Sequence, residues 1–495
     1  MESPMKVNLR RYSRAFAFSC ITLLSITIAT VSVSTSASEA KDFVAKLKTH
    51  YQKTRSINAF SLSYHFLNKR YRESEYWDYQ TPDRVMSQRM IEIDLVKKHF
   101  ADSDLLYAPG GLVNDRIQFQ NDTQSYYYET NGSFLGKRYF NEGMGRFDRV
   151  IPYILMNVDF LAVRPLLEEN NIEGNVTLQQ DVKSGTTTLT HKVSGSDDVS
   201  VIDYEFRNNP LQLISINNKS TSAIYVYDDY QTTRGITFAR SVHSNPEGAT
   251  EPAYIKFIDQ FEIIDEVDPA KLQIPQGYGP EIPKSDGVLV SKEIAKDLYL
   301  VNDSGAWRNS LFKVNGDKIM LFGGSGYSAL AEKTIKLINE QFPTKRITSV
   351  YVTHPHGYAI DGLNIYADKG IEILADEYSI AAIKAYAGFA DDIAKFKFRT
   401  IEHEQIIDGA HFYVLENMHS KRQSFVHFQN SGIIFQTDFL HIAFDNTIAK
   451  VIPNYTRTFI DFIRSKQLNF NRIVGNYQNN NISVEVMNKT YDALM

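Results

Sequence analysis

The chain of 495 residues contains a single cysteine, Cys20, and that residue falls inside the N-terminal apolar stretch. Once the stretch is removed no thiol remains, so no disulfide framework supports the fold. Blocks of lysine and arginine are missing as well. The formal net charge is −5, and mild acidity without a basic run argues against nucleic acid as a partner. The phosphate-loop pattern Gly-x-x-x-x-Gly-Lys is also absent, and Gly323-Gly324-Ser325-Gly326 reads as a tight strand-to-helix turn. What is present is the composition of a soluble globular protein, 43% hydrophobic and 22% charged. The length predicts two or three domains.

Residues 1–40 have the layout of a secretory signal. Lys6, Arg10, Arg11 and Arg14 form a basic start, residues 15–33 are apolar, and Ser36-Ala37-Ser38-Glu39-Ala40 offers small residues for cleavage. An uncleaved membrane anchor is the alternative, since the apolar stretch is nearly long enough to span a bilayer. Its many serines and threonines favour cleavage. The expected mature protein is periplasmic or secreted, and it touches the membrane only transiently through this segment. Cleavage takes away four basic and two acidic groups and shifts the formal charge to −7.

Residues 41–280 read as an antiparallel, β-rich N-terminal domain. Phe43, Val44, Leu47 and Tyr51 have helical spacing, and from Phe60 to Phe66 the text alternates with period two. Further alternating runs lie at 176–179, 186–193, 224–228 and 254–264, separated by turn signals such as Ser194-Gly195-Ser196-Asp197. Tyr126-Tyr127-Tyr128 reads as one strand, half core and half surface. The order of one helix, a long meander and a Pro/Gly-rich exit is similar to periplasmic lipoprotein-carrier-like half-barrels. That resemblance of pattern implies an apolar ligand, a lipid or a peptide.

Residues 277–287 mix Gly, Pro and charge without periodicity and are taken as the linker. In residues 281–495 strand and helix patterns alternate. Strands are expected at 298–301, 310–314, 318–322, 346–352 and 371–375, and helices at 329–339 and 379–396. The strand of 346–352 stops at Thr353-His354-Pro355-His356. Side chains at strand ends in α/β sheets converge on ligands, and two imidazoles one residue apart can share a cation. A third ligand from elsewhere would complete a zinc site with one position open to water.

Thr353-His354-Pro355-His356-Gly357-Tyr358-Ala359-Ile360-Asp361-Gly362 resembles the Thr-His-x-His-x-Asp-His-x-Gly-Gly signature of the metallo-β-lactamase-fold hydrolases. Both early histidines match, while Tyr358 stands at the aspartate position and Ala359 at the third histidine. The resemblance implies an α+β fold class, with a C-terminal αββα sandwich preceded by the β-rich domain. It implies further that His419, in the turn before residues 424–428, completes the first metal's ligands. Asp438, at the end of the strand text Ile433-Ile434-Phe435-Gln436-Thr437-Asp438, takes the bridging aspartate's place. Asn476 replaces the last histidine, and Gly323 stands where the family's strand-end aspartate belongs.

The groups private to the second metal are therefore the ones replaced. The expected centre is mononuclear, with His354, His356, His419 and Asp438 as metal residues and one zinc or another divalent ion as cofactor. Asp438 would orient or deprotonate a water, and Tyr358 would donate a phenolic proton to a developing oxyanion or leaving group, with Asp361 a weaker candidate nearby. His427 is taken as a half-buried strand partner, and His403 and His411 as surface. Three functions follow: a secreted metal-dependent hydrolase of a small-molecule substrate; a metal-poor pseudoenzyme that binds a ligand or partner; or a carrier of an apolar molecule through the β-rich domain. Loss of the second-metal ligands argues against β-lactam opening.

Overall fold

The computed structural model describes residues 33–34, 37–69, 76–81, 84–194, 199–246, 248–249, 251–303 and 307–494. Most of the signal segment, residues 1–40, lies outside the described residues. Among the described residues, no helix is long and apolar enough to cross a membrane. The chain divides into two compact units, Met1–Gln52 with Val163–Ser222 and Lys53–Ala162 with Ala223–Met495.

In the first unit a helix packs on an antiparallel meander. Ala40, Phe43, Val44 and Leu47 recur at helical spacing and are the buried face of the Ala37–His50 helix. Glu39 in its first turn and Lys48 in its last suit the helix dipole. The meander runs through Val176–Asp181, Thr186–Ser194, Val199–Asn208 and Leu211–Asn218. Its inward residues Leu178, Leu189, Tyr204, Phe206 and Leu213 are buried, and the Phe43 and Phe206 rings meet edge-on at 5.9 Å. Burial of each such side chain stabilises the fold by about 1.5–3 kcal/mol.

The second unit begins with a larger antiparallel sheet, in the order Ala223–Thr233, Ile236–Pro246, Tyr254–Ile263, Ala59–Lys69, Arg84–Asp94, His99–Tyr107, Val113–Gln120, Ser125–Tyr128, Tyr139–Asn141. Two helices, Arg146–Leu155 and Asp159–Ala162, interrupt what the sequence suggested was continuous β text. Phe147, Ile151 and Ile154 give the first helix its apolar face, but Pro152 inside it disguises the pattern, since proline is disfavoured in helix interiors. These helices close the inner face of the sheet: Phe147 packs on Phe100, and Phe160 packs on Phe261, which in turn meets Phe60 and Phe238. Side chains of the protein fill this part of the curved sheet. The linker is held to the sheet, with Gly279 N–H donating to Lys137 O at 2.7 Å and Tyr278 OH to Glu129 O at 2.7 Å.

The remainder is a four-layer αββα sandwich. One sheet has the order Val290–Ala295, Leu298–Asn302, Ser310–Asn315, Lys318–Phe322, Arg346–Tyr351, Glu372–Ala375, Lys397–Thr400, antiparallel up to Lys318–Phe322 and parallel beyond it. The other has the order Gln405–Ile407, Ala410–Leu415, Gln423–Phe428, Ile433–Gln436, Arg472–Gly475. Leu311, Phe322, Tyr351 and Leu374 from the first sheet meet Phe412, Val426, Phe435 and Val474 from the second in a shared core. The Ser328–Gln341, Leu363–Asp368 and Glu377–Ala385 helices cover the outside of one sheet, and Asn454–Ser465 and Val484–Asp492 cover the other. The expected helix of 379–396 ends at Ala385 and continues as two short 3₁₀ turns.

Asp159 tests how the helices seal the sheet. It is 1% exposed, its Oδ1 accepts Ala239 N–H at 3.0 Å, and burial pushes its carboxyl up to about 7. A carboxyl that is protonated in the native state but ionised in the unfolded chain loses stability as pH rises from about 4 to about 7. Asp159→Asn is expected to flatten that decline and to be more stable than the wild type at pH 8. Urea midpoints of the two proteins measured at pH 5 and pH 8 check this, and parallel pH profiles would refute it.

Candidate metal centre

The Arg346–Tyr351 strand lies inside its sheet between two parallel neighbours, so its C-terminal end opens onto the edge of the sandwich. Thr353 and His354 follow there, and the chain is pinned across to the second sheet. Thr353 O accepts from Ser424 N at 2.8 Å and from Ser424 Oγ at 3.0 Å, and Ser424 Oγ accepts from Tyr351 OH at 2.7 Å. His354 and His356 are both fully buried. Thr353 Oγ1 lies 2.9 Å from His354 Nδ1 and leaves Nε2 facing inward.

His419 arrives from the other sheet on a turn built by Asn417. The Asn417 Oδ1 accepts His419 N–H at 2.6 Å and Ser420 N–H at 3.1 Å, an Asx turn that fixes the imidazole's base. Gln423 ties this turn to the next strand, accepting from Asn417 Nδ2 and donating to Thr437 O. Asp438 follows in the left-handed region, with φ +64°, and is 6% exposed. The Gln436 amide forms the floor of its turn, accepting Phe439 N–H at 2.9 Å and donating to Leu440 O at 2.9 Å.

The three histidines of the sequence motif come together. One ring nitrogen from each of His354, His356 and His419 lies within 4.8 Å of the other two, a group able to hold a metal ion. The phenol of Tyr358 lies among them, its oxygen 3.1 Å from His354 Nε2, 2.9 Å from His356 Nδ1 and 2.8 Å from His419 Nε2. A hydroxyl donates once and accepts twice, so this oxygen satisfies three neutral imidazoles when two of them turn an N–H inward. Tyr358 OH thus stands at the focus of the triad.

Asp438 Oδ2 is 3.5 Å from His354 Nε2 and 3.6 Å from His419 Nε2, long for hydrogen bonds, and this buried oxygen accepts none. Burial raises its pKa, but the neighbouring imidazoles of His419, His441 and His354 outweigh that and hold it well below the usual carboxylate range. Burial and the nearby His419 push His354 down to about 3, so its imidazole stays neutral at ordinary pH. The donor set fits a divalent cation: neutral imidazoles supply the ligands, and an unsatisfied anionic oxygen supplies charge.

The turn at Gly323, beside the triad, is tightly packed. Gly323 has φ +77°, and a Cβ on it would come within 3.0 Å of Asn476 Oδ1 and 3.1 Å of the Phe435 ring, so no aspartate fits without displacement. Asn476 is tied down by its backbone, donating to Gln436 O at 2.9 Å and accepting Asn309 N–H at 2.8 Å. The cavity between Gly323, Ser325, Arg308, Asn476 and Tyr358 measures about 20 Å³, room for one water. Asp361 points elsewhere, with Oδ1 3.5 Å from Tyr386 OH. His427 bonds Asn469 O, His403 bonds Val414 O, and His411 meets Tyr413 and Gln429, all outside the triad.

Two parts of the site escaped the sequence reading. His441 lies one turn after Asp438, its Nε2 3.8 Å from Asp438 Oδ1, and burial lowers it to about 4; the Asp-x-x-His spacing was the available signal. The second is support from connections of the β-rich region. Trp77 Nε1 donates to Asn417 O at 2.8 Å, Lys421 N–H donates to Trp77 O at 2.9 Å, and Lys421 Nζ meets Asp78 Oδ2 at 2.6 Å. Phe134 packs edge-on against the His441 ring at 5.0 Å. Gly110, at φ +79°, approaches Tyr455 and Met418 O so closely that a Cβ would meet them at 2.7 and 3.0 Å. No short-range pattern in the sequence connects these segments to residues some 300 positions away.

No family model and no curated protein matches the chain. Among solved structures it is similar to a metallo-β-lactamase from Hirschia baltica, with 12% identity over 41% of this chain and 97% of that one and a TM-score of 0.34. It is also similar to the metallo-β-lactamase FIM-1 from Pseudomonas aeruginosa in its mono-zinc form, with 12% identity, coverage of 41% and 94%, and a TM-score of 0.32. TMB-1 matches with 14% identity, coverage of 41% and 96%, and a TM-score of 0.31. The four layers themselves are seen directly in the sheets and helices described above.

The Asn417 turn predicts how His419 is held. Asn417→Ala removes the acceptor for two buried N–H groups, a loss of about 1–3 kcal/mol for each group left unsatisfied. The variant is expected to unfold at lower urea and to show faster amide exchange at residues 418–421. Unchanged exchange there would mean that other contacts fix the turn.

Proposed function

We propose that the protein is a metal-dependent hydrolase with a mononuclear centre at His354, His356 and His419, acting on a small-molecule substrate. The observation that carries this reading is the convergence of three buried imidazoles beside a carboxylate oxygen that accepts no hydrogen bond. A bound divalent ion, with zinc the first candidate, would lower the pKa of a water and polarise the bond to be cut. The chain's own residues would do the rest. His354 and His419 hold their rings against Thr353 and the Asn417 turn. Asp438, kept ionised by its imidazole neighbours, is placed to orient a water's lone pair or take its proton. Tyr358 is the group able to deliver a proton to a leaving oxygen or nitrogen.

The N-terminal sequence supports export, so we place the mature protein in the periplasm or outside the cell, with cleavage where the small-residue stretch meets the start of the Ala37–His50 helix. Amino-terminal sequencing of protein recovered from those compartments is expected to start close to the beginning of that helix, and a start at Met1 would contradict it.

A second reading has its own observation. The Tyr358 hydroxyl already satisfies the three imidazoles, as a metal-poor, ligand-binding relative of such hydrolases would require. Metal content separates the two. Mature protein purified without chelator and offered zinc, manganese or iron is expected to hold about one equivalent per chain, and His419→Ala to lose it while the β-rich sheet stays folded. Absence of stoichiometric metal under every condition would establish the second reading.

A further inference from the structure

Away from the triad, the face of the large sheet that carries the Arg146–Leu155 and Asp159–Ala162 helices is apolar in one half and charged in the other. Phe60, Leu62, Ile91 and Phe100 are fully buried in the first half. In the second, Tyr64 pairs with Arg89 and Arg89 with Asp104 across neighbouring strands, and Phe66 pairs with Lys256, so these side chains share that face. Charges drawn away from water are costly unless each is matched.

The matching is complete but for one group. Arg89 Nε donates to Asp102 Oδ1 at 2.7 Å, Arg116 Nη2 donates to Asp104 Oδ2 at 3.0 Å, and Arg146 Nη1 lies 3.6 Å from Glu142 Oε2. Lys256 has no such carboxylate among the described residues. Its ammonium donates to the Asn157 amide oxygen at 2.6 Å and sits 5.5 Å from the centre of the Tyr254 ring, so two of its three N–H donors lack an oxygen or nitrogen acceptor in the protein. Burial, and then the nearby Arg89 guanidinium, pulls this ammonium down to about 8. The side chain is half-buried, so a molecule from solvent can reach it.

We propose that Lys256 anchors a ligand site independent of the metal centre, one that takes the carboxylate of a small molecule whose apolar part lies along Phe66 and Tyr254. Charge decides the class of anion. Three of the four cations are balanced, so the surplus is a single positive charge. A carboxylate cancels it, whereas a phosphate dianion leaves a negative charge in its place. Water fills spare donors without neutralising an ammonium that faces Arg89. The rings decide the rest of the ligand. Tyr64, Phe66 and Tyr254 form a row with centroids 5.9 and 6.2 Å apart, and Phe66 and Tyr254 are half-buried on the same side of the sheet as Lys256. Apolar walls with a few placed polar groups are the usual make-up of a small-molecule site.

The probe is cis-parinarate, a straight-chain carboxylate whose fluorescence rises when it leaves water. The full-length mature protein is expected to bind it at a single saturable site and to release it to decanoate but not to decanol. Lys256→Met is expected to bind at least about tenfold more weakly, the loss of a charge-assisted hydrogen bond, while keeping the wild-type circular dichroism. Should that variant fail to fold, Lys256→Gln, which keeps a donor for Asn157 but no charge, makes the same comparison. His419→Ala is expected to bind the probe as the wild type does. Absence of saturable binding, equal affinity in the Lys256 variant, equal displacement by decanol, or loss of binding in His419→Ala would each overturn the proposal. A lysine that only braces Asn157 predicts the second of these, together with a lowered melting temperature in Lys256→Met.

Discussion

Three imidazole nitrogens gathered around one phenol oxygen, each within hydrogen-bond distance of it, set the terms for everything around them. Buried polar groups are tolerable only when paired, and a single hydroxyl here serves three rings at 2.8–3.1 Å. The requirement propagates outward. Thr353 addresses His354 from behind, Asn417 holds the backbone of His419, and Arg308 grips the carbonyl of Tyr358. The turn at 323–326 takes part as well: the Tyr358 carbonyl lies so close to Gly326 that a Cβ there would meet it at 2.5 Å.

Much of this was legible beforehand where the chemistry is local. The strand before His354, the Gly-rich turn and the Ser328–Gln341 helix follow from β-branched runs, turn residues and helical spacing, and they appear as expected. His354, His356 and His419 were likewise found from motif and order, and the structure brings their rings together. Tyr358 was recognised as the substituted position, but its role as hub was hidden. Its direction is set by the clamp of Arg308, Ser325 and Gly326, and a linear text does not show which side of a short helix faces a cluster.

The failures share a cause. The Arg146–Leu155 helix was concealed by Pro152, a residue whose general disfavour was overridden by the apolar face it leaves intact against Phe100. His441 was overlooked because its meaning depends on the left-handed turn at Asp438, which brings it back toward that carboxylate. The contacts of Trp77, Gly110 and Phe134 are long-range, and tertiary packing decides them without a periodic trace.

Those last contacts bear on how the molecule comes into being. The turn carrying His419 leans on Trp77 and Asp78, and the neighbouring Tyr455 is shaped around Gly110. Chains fold largely from the N-terminal end as they are made, so the buttress is synthesised more than 300 residues before the turn that needs it. A sandwich transplanted without those connections would keep the histidines but lose the contacts that brace one of them.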